Sequence, residues 1–417
     1  MPMKSTVKFQ LSLMMFLQFF IWGGWFVTLG TFLGNNLNAT GGQIAMAFST
    51  QSWGAIIAPV FIGLIADRFF NAEKILGFLH LLGGGLLYLM SITEDFSVFY
   101  PYVFVYMLLY MPTLALVNSV SFNQMKDTTS EFPLIRTFGT VGWIVSGLVI
   151  SFVFGWDAQD SIADGALSNT FLMVAMASLM LGFFSFSLPK TPPYQQSQNK
   201  FSLKNALGWE AVKLLNDRNF LLFFIASILI CIPLAFYYQQ ANPFLVSLKM
   251  DNPTAKMSLG QVSEVLFMLL LPLFFARFGL KKTILVGMMA WVIRYLLFAF
   301  GDAGEHTYML IVGILLHGIC YDFFFVSGQI YTDFKAGEKV KSAAQGLITL
   351  ATYGVGMLIG FWIAGKISDT FILSSGAPDW KMIWLIPSFF ALLVFVLFSL
   401  IFKNEKISYN NEPNTNP

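Results

Sequence analysis

Charge is what this sequence has least of. Only 11% of its 417 residues are Asp, Glu, Lys or Arg, against roughly 25% in a soluble globular domain, while 56% are hydrophobic. A water-soluble fold has no interior large enough for that fraction, so much of the surface must face an apolar medium. Cysteine is nearly missing. Cys231 and Cys320 both lie within apolar runs, which argues against a disulfide or thiolate-metal framework and leaves small packing residues. There is no clustered His/Asp set, no Gly-x-Ser-x-Gly and no nucleotide-binding loop, so no metal or cofactor is expected and a membrane-embedded enzyme is the weaker reading. A net charge of +2 gives no electrostatic case for a nucleic-acid partner. No polar stretch is long enough for a soluble domain that could relay a signal.

What is present is a succession of apolar stretches of spanning length, ~20 residues each. They fall near 9–33, 43–66, 75–92, 98–123, 136–156, 167–188, 219–246, 258–276, 282–300, 307–333, 342–365 and 381–402. The first follows Lys4 and Lys8 as a signal peptide would. Its apolar run from Phe9 to about Leu33 is too long for that and lacks a small-x-small cleavage site, so it is expected to be the first span. The longest polar interruption, 189–217, separates two sets of six. The expectation is therefore an all-α polytopic membrane protein with an N-terminal half at 1–188, a central loop at 189–217, a C-terminal half at 218–403 and a tail at 404–417.

Charge predicts the orientation. With both termini inside, the inner segments hold eighteen Lys and Arg residues, among them Arg68, Lys74, Lys126, Lys190, Arg277, Lys281, Lys335 and Lys403. The outer loops hold only Lys249, Lys256, Lys366 and Lys381 and carry instead acids such as Glu94, Asp157 and Asp302. That is the positive-inside pattern along the whole chain. A weak repeat agrees with it: Gly63-Leu-Ile-Ala-Asp67-Arg68 ends the second span, and Leu273-Phe-Phe-Ala-Arg277-Phe-Gly279 ends the eighth. The first of these resembles the loop signature of the major facilitator superfamily, which implies two pseudo-symmetric six-helix halves around a central site.

Ionisable groups inside spans are costly and are functional candidates by default. Arg136, Glu264, Arg294 and Asp322 stand out, with His317 as a neutral titratable group. In Gln261-Val-Ser-Glu264 the amide and the carboxylate share a helical face, offering the donors and acceptor that vicinal hydroxyls need; helix–helix bonding by a buried Glu is the alternative. Arg136, Thr140 and Trp143 recur at i, i+4 and i+7, one stripe of a helix, with Gly139 and Gly142 allowing close backbone packing beside it. Arg136 could equally snorkel to the inner interface. Tyr237-Tyr238-Gln239-Gln240-Ala-Asn242 makes the seventh span unusually polar before its end. Its aromatic faces and amide edges suit a planar heterocycle, or else an interfacial aromatic belt.

The tenth span reads His317-Gly-Ile-Cys-Tyr321-Asp322. His317 and Tyr321 stack at i, i+4, and Asp322 points about 100° away, some fifteen residues or about 22 Å from the outer end. A lone carboxylate near mid-membrane suits a proton carrier; the alternative is an ion pair with Arg294 of the neighbouring span.

These segments together resemble the nucleoside:proton symporter family of the major facilitator superfamily. The resemblance rests on Phe16-Leu-Gln-Phe-Phe-Ile-Trp22-Gly23 with Trp25 and Thr28-Leu29-Gly30, on Tyr110-Met-Pro112-Thr113 and on Phe132-Pro133-Leu-Ile-Arg136 with Gly139-Thr140. It continues through Gln261-Val-Ser-Glu264, Trp291-Val-Ile-Arg294, Asp322-Phe-Phe and Ser342-Ala-Ala-Gln345-Gly346. It implies proton-driven uptake of nucleosides by a monomer in the bilayer of the bacterial cytoplasmic (inner) membrane, without a cofactor. It also implies ligand contacts at Arg136, Thr140, Gln261 and Glu264, and aromatic contacts at Trp143, Tyr321 and His317, where Phe, Phe and Tyr are the familiar residues. Tyr238 and Gln239 complete the expected binding set, and Asp322 with Arg294 the proton-coupling pair. The seventh span departs from the pattern, with Ala235 and Tyr238 where Gln and Asn are expected, which leaves base preference open. A proton-coupled sugar or oligosaccharide permease of the same fold is the competing expectation.

Overall fold

The computed structural model describes residues 4–61, 70–126, 128–192 and 209–405. The Asp67–Arg68 signature and most of the central 189–217 segment lie outside the described residues. Helix dominates, and no β-strand occurs among the described residues, only a single bridge between Ile372 and Pro378. In a bilayer each backbone N–H and C=O must be satisfied within its own segment, which helices do and open strands cannot.

The helices are α1 (Ser5–Phe26), α2 (Leu29–Asn36), α3 (Gly41–Phe61), α4 (Ala72–Ser91), α5 (Phe96–Asn123) and α6 (Thr128–Leu148), the last running into a π-helical turn at Val149–Phe154. They continue with α7 (Gln159–Ala163), α8 (Ser168–Ser185), α9 (Arg218–Ser247), α10 (Pro253–Met257) and α11 (Leu259–Phe300). The chain ends with α12 (Thr307–Tyr321), α13 (Ser327–Thr349), α14 (Met357–Thr370) and α15 (Trp380–Ile401), with π turns at Asp322–Val326 and Leu350–Gly356.

Among the described residues, ten stretches are long and apolar enough to cross a membrane. One of them, Pro253–Phe300, is two spans in one. Gly279 has φ 72, the left-handed region that only glycine enters without a Cβ penalty, so the chain turns there between Arg277 and Lys281. Gly337, φ 62, makes the same break inside α13. With α3 added, this arrangement fits the twelve spans expected from the sequence. The outward faces agree with a lipid environment: Leu269, Leu273 and Leu400 are 73%, 67% and 76% exposed. Each would lose about 1.5–3 kcal/mol of burial if that surface met water.

The chain groups into two compact units. One comprises Met1–Ala206 with Tyr237–Ser258 and Phe361–Asp369; the other comprises Leu207–Phe236, Leu259–Gly360 and Thr370–Pro417. Within the first, α1 and α6 meet at glycines. A Cβ on Gly142 would lie 2.1 Å from the Phe16 carbonyl oxygen, and one on Gly139 would lie 2.7 Å from both the Phe19 ring and Arg136 Nη1. A polar cluster joins α1, α4, α5 and α8. Gln18 donates to Thr113 Oγ1 at 2.7 Å and accepts from His80 Nε2 at 2.8 Å, His80 Nδ1 lies 3.1 Å from Ser178 Oγ, and Tyr110 donates to the Gln18 carbonyl at 2.7 Å.

The same unit is tied at one end by carboxylates that cap backbone N–H groups. Asp157 accepts from Ser151 Oγ at 2.6 Å and from Thr254 N at 3.0 Å, while Ser151 Oγ accepts from Ala255 N at 2.9 Å. Asp369 accepts from Gly41 N and Gly42 N at 2.6 and 2.8 Å, at the start of α3. In the second unit Lys335 bridges Asp217 at 3.0 Å and Glu405 at 2.9 Å, and Asn219 donates to the Lys403 carbonyl at 2.9 Å. The start of α9, the end of the first arm of α13 and the segment after α15 are thereby held together.

Candidate functional site

The side chains singled out in the sequence fall into two groups, one in each unit. In the first unit the stripe Arg136, Thr140, Trp143 lies on α6 as its spacing predicts, all three half-buried. The Arg136 guanidinium stacks 4.1 Å above the centre of the Phe19 ring of α1, so it is held by a cation–π contact and not left to snorkel freely. Trp143 packs edge-on against Trp22 at 5.7 Å, and Trp22 against Tyr110 at 5.7 Å. The glycine pair explains the geometry: with no Cβ at 139 and 142, α1 and α6 approach closely enough for the Phe19 ring to reach the guanidinium. The result is a cationic donor bordered by aromatic faces.

The polar end of α9 divides. Tyr238 is half-buried, its ring 5.9 Å from Phe26. Gln239 is fully buried, with neither amide atom hydrogen-bonded among the described residues, and its carbonyl lies 2.7 Å from where a Cβ on Gly30 would stand. Asn242 bridges elements, accepting from Thr31 Oγ1 and donating to Thr254 Oγ1 at 3.4 Å. Part of the patch that reads as ligand-facing in sequence is thus enclosed against α2.

In the second unit Gln261 and Glu264 are both half-buried on the first arm of α11. Glu264 Oε2 lies 3.8 Å from His317 Nε2 of α12. On its other side His317 Nδ1 is 3.1 Å from Arg294 Nη1, on the second arm of α11. His317 stacks on Tyr321 with ring centres 5.9 Å apart and planes 26° apart, and Tyr321 OH lies 2.6 Å from Tyr353 OH on the π turn at Leu350–Gly356. Gly260 and Gly318 allow this approach: a Cβ on Gly318 would sit 2.5 Å from the Ser263 carbonyl oxygen, and one on Gly260 3.2 Å from His317 Cβ.

Asp322 begins the π turn that follows α12 and is fully buried, its two carboxylate oxygens without a hydrogen-bond partner among the described residues. The ion pair with Arg294 that the sequence offers as an alternative is absent among the described residues, where Arg294 instead meets His317 and lies within 6 Å of the rings of Trp291 and Phe298. The turn also brings Phe323 and Phe324, both buried, next to the carboxylate along the chain. An unpartnered carboxylate in such surroundings is costly when charged.

Sequence reading passed over two features. His80 is an ionisable group inside a span, the same signal that singled out His317, yet its role is visible only through Gln18, Thr113 and Ser178 on other helices. Tyr353 carries no such signal and is found through Tyr321.

Comparison with known proteins gives a consistent picture. The sequence profile described as nucleoside H+ symporter matches residues 3–407. The chain is 42% identical to YegT of Escherichia coli (strain K12), provisionally named a nucleoside transporter, over 96% of this chain and 94% of that protein. It is 33% identical to the xanthosine permease of the same organism, covering 98% and 97%. The crystal structure of the nucleoside transporter NupG superposes with a TM-score of 0.85 at 28% identity, covering 96% of this chain and all of that one.

Proposed function

Because the chain belongs to the nucleoside H+ symporter family, we propose that it is a multi-pass membrane transporter that takes up nucleosides with protons by alternating access. It is not an enzyme. The observation that carries the mechanism is that, on consecutive turns of α12 and its π extension, an imidazole beside a carboxylate is followed by a second carboxylate that is fully buried. His317 stands beside Glu264, and Asp322 lies one turn further on.

In this reading Gln261 and Glu264 hold ribose hydroxyls, the amide donating and the carboxylate accepting. Arg136 and Thr140 supply polar contacts from α6, and Trp143, Tyr238 and Tyr321 supply ring faces for the base, with His317 completing the set. Asp322 takes the proton: protonation from the acidic side removes the cost of its buried charge, and release on the other side restores it. The weak repeat and the long central loop support two six-helix halves, 1–188 and 218–403, joined by 189–217 and followed by the 404–417 tail. The Lys/Arg bias supports cytoplasmic termini in a bacterial inner membrane.

The test is uptake of labelled uridine and adenosine into proteoliposomes, with and without an inward proton gradient. Accumulation above equilibrium only with the gradient is the expected result. In Asp322→Asn, a mimic of the protonated state, nucleoside binding and gradient-free exchange should persist while accumulation disappears. Concentrative uptake by that variant at the wild-type rate would move the proton site, with Glu264 next in line. Uptake of free ribose or disaccharides in preference to nucleosides would favour a sugar permease.

A further inference from the structure

We propose that Arg294 is a positioning residue that fixes His317 as its Nε2–H tautomer, so that His317 and Glu264 form a donor–acceptor pair for one sugar hydroxyl of the nucleoside. The inference rests on the reading of Glu264 as a ribose contact and adds to it which group donates, and why.

The argument begins with the inventory of donors. A guanidinium carries five N–H donors and no acceptor. Arg294 Nη1 lies 3.1 Å from His317 Nδ1, so Nδ1 is the acceptor and holds a lone pair. A neutral imidazole has a single N–H, which is then on Nε2. A second proton on Nδ1 would set N–H against N–H and cation against cation, so Arg294 opposes the charged form of the ring as well as the other tautomer.

Nε2 therefore presents a proton towards Glu264 Oε2, 3.8 Å away. That separation is too long for a direct hydrogen bond. It suits one oxygen placed about 2.8 Å from each atom, accepting from Nε2–H and donating to the carboxylate. A hydroxyl is the simplest ligand group that does both at once.

The two ring nitrogens separate the roles. Arg294, fully buried, meets Nδ1, while Glu264, whose side chain is 24% exposed, faces Nε2. Arg294 therefore acts through His317. The supports are rigid: Arg294 and Glu264 stand on the two arms of α11, and Tyr321 stacks on the imidazole with its hydroxyl against Tyr353. Among the described residues, the titratable and charged groups that meet the imidazole include Glu264 and Arg294 from α11 and Tyr321 from its own helix, with Tyr353 behind Tyr321.

The test measures binding of uridine, 2′-deoxyuridine and 3′-deoxyuridine to the purified full-length transporter. Selective 15N labelling of its three histidines adds a spectroscopic readout, with assignment by single substitution. Wild type should prefer uridine to one of the deoxynucleosides by roughly tenfold or more, and His317 should give the Nε2–H signature from pH 5 to 8. His317→Phe, which keeps a stacking ring and removes the donor, should lose most of that preference. Arg294→Met should yield mixed tautomers and a reduced preference, which Arg294→Lys restores in part. If Arg294→Met does not fold, the wild-type spectrum and His317→Phe still decide the matter. Undiminished preference in His317→Phe, no preference in wild type, or an Nδ1–H or doubly protonated His317 in wild type overturns the inference. Failure of the underlying ribose reading has a separate signature: Glu264→Ala binding uridine as tightly as wild type.

Discussion

Replacing Gly142 by alanine tests the packing that aims the α6 stripe. The added Cβ would stand 2.1 Å from the Phe16 carbonyl oxygen and 3.0 Å from its carbonyl carbon, where 3.4 Å begins ordinary contact. More than an ångström must be found, and the obstacle is backbone, which cannot rotate aside as a side-chain tip can. Overpacking of this kind costs about 1–3 kcal/mol. The function suffers separately, because separating α1 from α6 by that much opens the contact between Arg136 and Phe19 at 4.1 Å. A cation–π contact of about 0.5–2 kcal/mol corresponds to roughly 2- to 30-fold in Kd. The assay is thermal unfolding in detergent alongside uridine binding, with Gly85→Ala as the control. Gly85 has nothing within 4 Å of its Cβ position and should tolerate the methyl. Wild-type Tm and Kd in Gly142→Ala would refute the packing argument, and an equal loss in Gly85→Ala would refute its specificity.

Other consequences can be measured in the same preparations. Glu264→Ala removes one partner of a charged hydrogen bond to the ligand, a loss of about 2–5 kcal/mol, so uridine affinity should fall roughly 30- to 5,000-fold in a protein of normal Tm. Tyr321→Phe keeps the ring that stacks on His317 and loses the hydroxyl contact with Tyr353, so it should retain most of its affinity while Tyr321→Ala loses it; equal behaviour of the two would refute stacking. Asp157→Ala leaves the buried Thr254 N–H and Ser151 hydroxyl without their acceptor and should cost about 1–3 kcal/mol in stability, with Asp157→Asn milder; an unchanged Tm for the alanine variant would contradict this. The backbone N–H of Phe220 and, against a burial penalty, the Lys335 side chain hold the Asp217 carboxyl below the usual carboxylate range. A depressed folded-state value stabilises above the unfolded pKa near about 3.9 and is lost as pH falls through the folded value. Asp217→Asn should flatten the acid limb of Tm against pH in that window, an effect reduced by salt because the side chain is half exposed; an acid limb identical to wild type would refute it.

The spans, the turn at Arg277-Phe-Gly279, the stripe of Arg136, Thr140 and Trp143, and the shared face of Gln261 and Glu264 were all written in the sequence. The reason is that each is local. The bilayer demands unbroken helices of a set length, glycine alone accepts the turn's positive φ, and helical periodicity decides which side chains share a face. What the tertiary structure alone decided is who meets whom between helices. Sequence offered Arg294 as the partner of Asp322, and packing brought it to His317. Sequence read Gln239 as open to a ligand, and packing leaves it fully buried. His80 with Gln18, and Tyr353 with Tyr321, are pairs separated by 62 and 32 residues. Such choices depend on the rotation and crossing of each helix against its neighbours, set by glycine contacts and side-chain volumes from distant segments. No local pattern in the sequence encodes them.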